Sequence, residues 1–276
     1  MWTLRYCPEE RFDPEPCTGC GACRSVCPSA AVEMRGGKPT FIQRLCIGCG
    51  HCGAYCPVNA FGLRPLEGME DPVDPVAFRR LMAKRTSVRK FSNKVPSDEE
   101  LGQLLSILGE SPTGRNAQGL TVRVFRGAEV SSVLLEPLAR FLRAFSVTGI
   151  PQLAARLFGM GHHLRMIRGG DDPVFRNAPV VLFFMAPRSS VTGRSDGVIA
   201  ATSVMYHAVS MGMGTLWNGV AEKLYPFMGS WHSPAAGGYR LTAVLCLGYE
   251  AQRPFSRTPE RDYRILGDDA LEGRES

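Results

Sequence analysis

The chain has 276 residues, 44% of them apolar and 21% charged, a composition that suits a soluble globular protein with room for one small module and one ordinary domain. Its net charge of +6 comes from 32 Lys and Arg interleaved with 26 Asp and Glu, which excludes a basic arm for nucleic acid. No apolar run is long enough to span a bilayer, and the opening "MWTLRYCPEERF" lacks the zones of a signal peptide, so a cytoplasmic location with reduced thiols is expected.

The first predicted feature is a repeat. "CTGCGACRSVCP" from Cys17 returns as "CIGCGHCGAYCP" from Cys46, a constant offset of 29 residues. Each copy reads C-x2-C-x2-C-x3-C-P. Three closely spaced thiolates can wrap one iron–sulfur cube while the fourth, displaced and followed by proline, points to another. A disulfide framework or a pair of zinc sites also uses cysteine pairs, but neither explains the third Cys or the closing Cys-Pro. The stretch resembles the two-cluster bacterial ferredoxins over residues 17–57. Cys17, Cys20, Cys23 and Cys56 are then expected to hold one [4Fe–4S] cluster, and Cys27, Cys46, Cys49 and Cys52 the second. Cys7 lies off this grid, and Cys246, in "LTAVLCLGY", reads as a buried inert thiol.

"PLEGMEDPVDP", with four breakers among acids, reads as a linker. The boundaries are therefore placed at 1–66 for the cluster domain, 67–74 for the linker and 75–276 for the rest. Asp74-Pro75 offers a cap and a first-turn proline for a helix to about Arg85. Ser97 and Glu100 form a capping box for a second helix stopping at Gly109. "LTVRVF" (120–125), "APVVLFFMAP" (178–187) and "YRLTAVLCLGYE" (239–250) predict strands. Before the last of these, a helix apolar around most of its circumference is predicted over 196–214, capped by Asp196. Helices and strands mixed without regular βαβ alternation indicate an α+β class. Neither a G-x-G-x-x-G after a strand nor a P-loop is present.

"KRTSVRKF" (84–91), "SPTGRNAQ" (111–118) and "SDGVIAATSVMYHAVSMGMGTLWNG" (195–219), followed by "LGYEAQRPFSR", resemble in order and spacing the segments of the FMN-dependent nitroreductase family. The resemblance covers about residues 75–260. It implies an α+β domain with a mostly antiparallel sheet flanked by helices, bound FMN, and a homodimer whose flavin sites lie between subunits. Arg85, Ser87 and Arg89 alternate, so an extended backbone puts all three on one side, where two guanidiniums and a hydroxyl suit a phosphate and ribityl chain. The resemblance further places Asn116 at a flavin ring edge, Trp217, Asn218 and Gly219 along the isoalloxazine, and Arg257, ahead of Arg253 and Arg261, at the phosphate. Residues 151–176 would form variable helices over the active site.

These expectations combine into an oxidoreductase whose clusters exchange single electrons with FMN, reducing a small electrophilic organic acceptor of the nitroaromatic or quinone type. No catalytic side chain beyond the flavin's own chemistry is expected. The alternative is a non-enzymatic electron carrier or redox-sensing module that serves a protein partner. The donor would be NAD(P)H or an external ferredoxin. Residues 1–66 hold seven Arg or Lys against five Asp or Glu, a balance that favours an acidic donor.

Overall fold

A computed structural model describes residues 6–65, 72–140, 166, 171–227 and 238–252, with 254–256 and 258–259 beyond. Arg253, Arg257 and Arg261, and most of 151–176, lie outside the described residues.

The Cys-rich module comprises α1 (Pro8–Arg11), α2 (Ala22–Ser25), a hairpin of β1 (Val32–Arg35) and β2 (Lys38–Phe41), and α3 (His51–Ala54). The hairpin is antiparallel, with Val32 opposite Phe41. The two cysteine repeats fold alike: α2 starts at Gly21 (φ 76°) and α3 at Gly50 (φ 75°), both left-handed, where a glycine carries no steric cost. Phe12, Phe41 and Phe61 pack with ring centroids 5.4–6.0 Å apart, and Val32, Ala60, Cys23 and Cys52 complete this small core.

The second domain opens with α4 (Pro75–Lys84), where the Asp74 carboxylate accepts the Val76 N–H at 2.9 Å. Then comes α5 (Asp98–Ser106), with its capping box complete: Ser97 Oγ accepts the Glu100 N–H and Glu100 accepts the Ser97 N–H. A 3-10 turn, Ile107–Glu110, continues α5 to the expected stop. Strands β3 (Thr121–Arg126), β4 (Val180–Pro187), β5 (Gly214–Trp217) and β6 (Tyr239–Gly248) form one sheet in the order β3-β4-β6-β5, with every neighbouring pair antiparallel. All eight residues of β4 are buried, as a strand covered on both faces requires. One apolar layer joins Phe125, Phe183 and Tyr225; the other joins Leu182, Phe184, Leu245 and the long helix α6 (Gly193–Ser210).

Helix α6 packs through small residues, Gly197, Ala200, Ala201 and Ala208, so it lies close on the sheet. A Cβ at Gly197 would come within 2.0 Å of Thr242 Oγ1, so this contact admits only glycine. The expected start and end both need correction. The helix begins at Gly193 and Asp196 sits inside its first turn, not at the cap; residues 211–213 turn the chain, and Gly214 already belongs to β5. Helix α7 (Gly219–Leu224) follows β5 directly. Among the described residues no helix is long and apolar enough to cross a membrane.

Candidate functional site

The eight grid cysteines sort themselves as their spacing requires. One small cavity is lined by Cys17, Cys20, Cys23 and Cys56, and a second by Cys27, Cys46, Cys49 and Cys52, so each repeat lends its fourth thiol to the other's cavity. Among the described residues no three of His, Cys, Asp and Glu stand close enough to share one ion. Four thiols spaced round each cavity suit a cube with iron at alternate corners.

Backbone N–H groups point at the sulfurs. Ala31 donates to Cys27 Sγ at 3.2 Å and Ala60 to Cys56 Sγ at 3.3 Å, the same bond 29 residues apart. Gly48 donates to Cys46 Sγ at 3.4 Å. Burial pushes the Cys23 thiol up, and pushes Cys52 up to about 11 against the opposing hydroxyl of Tyr6. Burial acts on Cys27 in the same sense, yet the N–H groups of Ala31, Ser29 and Val32 and the Ser29 hydroxyl outweigh it, and this thiol is lowered. Lys38 Nζ fastens the first loop by donating to the carbonyls of Pro14 (2.8 Å) and Cys17 (2.7 Å).

In the second domain, residues 87–92 run extended beside β5 and the end of β6. Val88 N–H donates to Thr215 O at 3.0 Å, Ser92 N–H to Tyr249 O at 2.8 Å, and Ala251 N–H to Lys90 O at 3.0 Å. Val88 is buried, Arg85, Thr86 and Ser87 are half-buried, and Arg89 and Lys90 are exposed. Arg85 Nη1 donates to Ser87 Oγ at 3.4 Å and Arg89 Nη1 to Ser87 O at 3.2 Å. No carboxylate pairs with either arginine among the described residues. Nearby, the buried Thr215 Oγ1 has no hydrogen-bond partner among them. Two guanidiniums without a carboxylate partner among the described residues, beside the Ser87 hydroxyl, fit a phosphorylated ligand such as FMN.

Trp217 follows two residues after Thr215 and donates its indole N–H to Glu222 at 3.2 Å. Asn218 is buried, and its side chain is spent on the fold: Oδ1 accepts the Ala221 N–H at 3.0 Å, and Nδ2 donates to Val174 O at 2.9 Å and lies 3.6 Å from Cys246 Sγ. Its backbone N–H is likewise given to Val244 O. Gly219 starts α7, and a Cβ there would meet nothing within 4 Å. Cys246 is fully buried in β6 and pushed up to about 12 by that burial.

Asn116 stands elsewhere. Its amide, expected at a flavin ring edge, donates instead to the carbonyls of Gly48 (2.9 Å) and Ile47 (3.2 Å), between two cysteines of the second repeat. Gln118 orients it by donating to Oδ1 at 3.0 Å. The Gly114 N–H donates at 2.9 Å to the buried Asp196, which also accepts the Thr192 hydroxyl at 2.9 Å. That anchor lies at the N-terminal end of α6, whereas Thr215 lies past its C-terminal end. Fourteen residues of helix between Asp196 and Ser210 span about 21 Å. Asn116 borders a cavity of about 660 Å3 whose walls include Gly48, Cys49, His51, Tyr55 and Leu120, and none of Arg85, Ser87, Arg89, Trp217, Asn218 or Gly219. Within one chain the expected flavin residues thus form two separate groups. Asp196, Thr215 and Tyr6 were missed by sequence reasoning. Asp196 alone carries a local signal, that of a helix cap, whereas its partners Gly114 and Thr192 emerge only in the fold.

Comparison with known proteins separates the Cys-rich module from the second domain. The model of the nitroreductase family matches residues 82–249, and that of the 4Fe-4S dicluster domain matches residues 9–57. No curated protein matches the chain. Among solved structures it is similar to a nitroreductase with bound FMN from Desulfitobacterium hafniense DCB-2, with 21% identity over 69% of this chain and 97% of that one and a TM-score of 0.50. Oxidised iodotyrosine deiodinase bound to FMN and 3-iodo-L-tyrosine gives 18%, 69%, 98% and 0.50. A nitroreductase with bound FMN from Bacteroides fragilis NCTC 9343 gives 17%, 70%, 97% and 0.50. At these identities the likeness shows a shared fold.

Proposed function

We propose, from the premise that the chain belongs to the nitroreductase family, that it is an FMN-dependent oxidoreductase fed by two [4Fe–4S] clusters on the same chain. Its acceptor is a small electrophilic organic molecule of the nitroaromatic or quinone class. The observation that carries this reading is the Asn116 amide bonded to the carbonyls of Ile47 and Gly48, which joins the loop around one cysteine-ringed cavity directly to the nitroreductase domain.

Bound FMN supplies the exchange between one-electron and two-electron chemistry, and the clusters supply the single electrons. Arg85 and Arg89, which have no carboxylate partner among the described residues, neutralise a phosphate, with Arg257 as a third cation. Ser87 offers a hydroxyl beside them. Trp217 and Gly219 flank the ring, whereas Asn218 contributes by fixing the turn that presents them. The homodimer that the nitroreductase resemblance implies is favoured, with a second copy completing each flavin site opposite Arg85 and Ser87. Half-exposed Val198 and Ile199 on α6, with Phe78 and Met82 on α4, supply apolar surface for that contact. Cysteines held as iron ligands suit a cytoplasmic setting, and the slightly basic module suits an acidic ferredoxin-type donor.

The test is steady turnover. Anaerobic, cofactor-loaded protein is given reduced ferredoxin, NADH or NADPH, together with a nitroaromatic or a quinone. Consumption of acceptor over many turnovers supports the enzyme. Cofactor reduction with no turnover of any acceptor would return the reading to an electron carrier that serves a protein partner.

A further inference from the structure

The two cysteine cavities differ in where they stand. Of the two cysteine sets, the one that includes Cys46 and Cys49 meets the nitroreductase domain among the described residues: the Asn116 amide holds the carbonyls of Ile47 and Gly48, and Cys49 lines the cavity that Asn116 borders. None of Cys17, Cys20, Cys23 or Cys56 lines that cavity, and Cys20 is exposed to solvent.

They also differ in what points at their sulfurs. The Cys27, Cys46, Cys49 and Cys52 set receives the Ala31 N–H (3.2 Å) and Ser29 hydroxyl (3.7 Å) at Cys27, with the Ser29 and Val32 N–H groups beside them, the Gly48 N–H (3.4 Å) at Cys46, and the Tyr6 hydroxyl (4.0 Å) and Gly53 N–H at Cys52. The other set receives fewer among the described residues, the Ala60 N–H at Cys56 and the Cys23 and Arg24 N–H groups at Cys23, and no hydroxyl. Val58 stands where the repeat places Ser29, so the difference is written in the sequence. An iron-bound sulfur carries no proton, so both hydroxyls must donate. A donor aimed at a ligand sulfur stabilises the extra negative charge of the reduced cluster and raises its potential. Solvent at Cys20 raises the other cluster's potential through one ligand, whereas the donors at Cys27, Cys46 and Cys52 act on three.

We propose that electrons cross the module in one direction, entering at the Cys17/Cys20/Cys23/Cys56 cluster and leaving through the Cys27/Cys46/Cys49/Cys52 cluster, which is poised at the higher potential and latched to the catalytic domain by Asn116. In each step one electron moves: the entry cluster is oxidised from [4Fe–4S]+ to [4Fe–4S]2+ as the exit cluster is reduced from [4Fe–4S]2+ to [4Fe–4S]+. No bond forms or breaks and no proton moves. The reductant is a low-potential one-electron carrier protein, and two passes supply one two-electron reduction. The inference rests on the two-cluster reading above.

The test is an EPR-monitored redox titration of the cofactor-loaded full chain. Two one-electron waves are expected, with Cys49→Ser altering the signal of the higher one and Cys20→Ser that of the lower. Tyr6→Phe and, as a milder change, Ser29→Ala should each move the higher wave down and leave the lower in place. Asn116→Leu should leave both waves, slow flavin reduction by reduced ferredoxin at least tenfold and speed amide hydrogen exchange at residues 46–50. The direction is overturned if Cys49→Ser alters the lower wave, or if Tyr6→Phe and Ser29→Ala both leave the higher wave unmoved. The latch is overturned if flavin reduction keeps its rate although exchange at 46–50 has risen. A chain that binds no iron would instead sink the two-cluster reading itself.

Discussion

Asn218 distinguishes a residue that binds the cofactor from one that builds the wall behind it. Replacing it with alanine removes the cap of α7, worth about 1 kcal/mol. It also strands the buried Val174 carbonyl, which costs about 1–3 kcal/mol. The side chain is 4% exposed and its partners are Ala221, Val174 and Cys246, so little water can enter to compensate. Asn218→Ala should therefore destabilise the protein by about 2–4 kcal/mol, lowering the urea midpoint by about 1 M at an m-value of about 2–3 kcal/mol/M. Asn218→Asp keeps an acceptor for the cap but turns an oxygen toward the Val174 carbonyl, and should recover only part of the loss. Urea unfolding followed by tryptophan fluorescence, at zero and at saturating FMN, checks this. Equal losses in both conditions are expected, because the side chain touches the fold and not the ligand. A loss below about 1 kcal/mol without FMN, coupled to a much weaker FMN Kd, would refute the reasoning.

Arg85→Ala and Arg89→Ala each remove a charge-assisted contact worth about 1.5–3 kcal/mol, so FMN binding measured by flavin fluorescence should weaken roughly tenfold to a hundredfold; retention of full affinity in both would refute the phosphate site. Sedimentation velocity should show a dimer at low micromolar concentration, and an FMN-saturated monomer would contradict the shared site. Cys246, fully buried and pushed up to about 12, should resist iodoacetamide at pH 9 in the native protein and react only after unfolding; rapid native labelling found by mass spectrometry would overturn its inert assignment.

What could be read from the sequence was what local chemistry fixes. Ligand spacing in the Cys17–Cys27 and Cys46–Cys56 runs already contains the exchange of the fourth thiol, and the two cavities divide the cysteines the same way. The Ser97–Glu100 capping box closes over four residues, and the strands at 121–126, 180–187 and 239–248 are apolar runs that differ from expectation by two residues or fewer. What failed depends on partners far along the chain. Asp196 looks like a cap until Gly114, 82 residues earlier, claims its carboxylate. Asn116, which the resemblance places at a flavin ring edge, gives its amide to Gly48, 68 residues earlier, a contact that no local signal contains. The side chain of Asn218 is committed to Val174 and Cys246, 44 residues earlier and 28 later, and local sequence contains neither contact. Tyr6 lies outside the cysteine grid, and only folding brings its hydroxyl to Cys52.

The central claim is that the clusters and the flavin form one electron path. Its most direct test is anaerobic stopped flow, mixing the loaded chain, and a variant lacking both clusters, with reduced ferredoxin, NADH or NADPH. Ferredoxin should bleach cluster absorbance first and flavin absorbance second in the intact chain, with a rate that falls as salt screens the basic module, and it should leave the flavin of the cluster-free variant oxidised. Rapid flavin reduction by NAD(P)H in the cluster-free variant, with no reaction between ferredoxin and the intact chain, would contradict it.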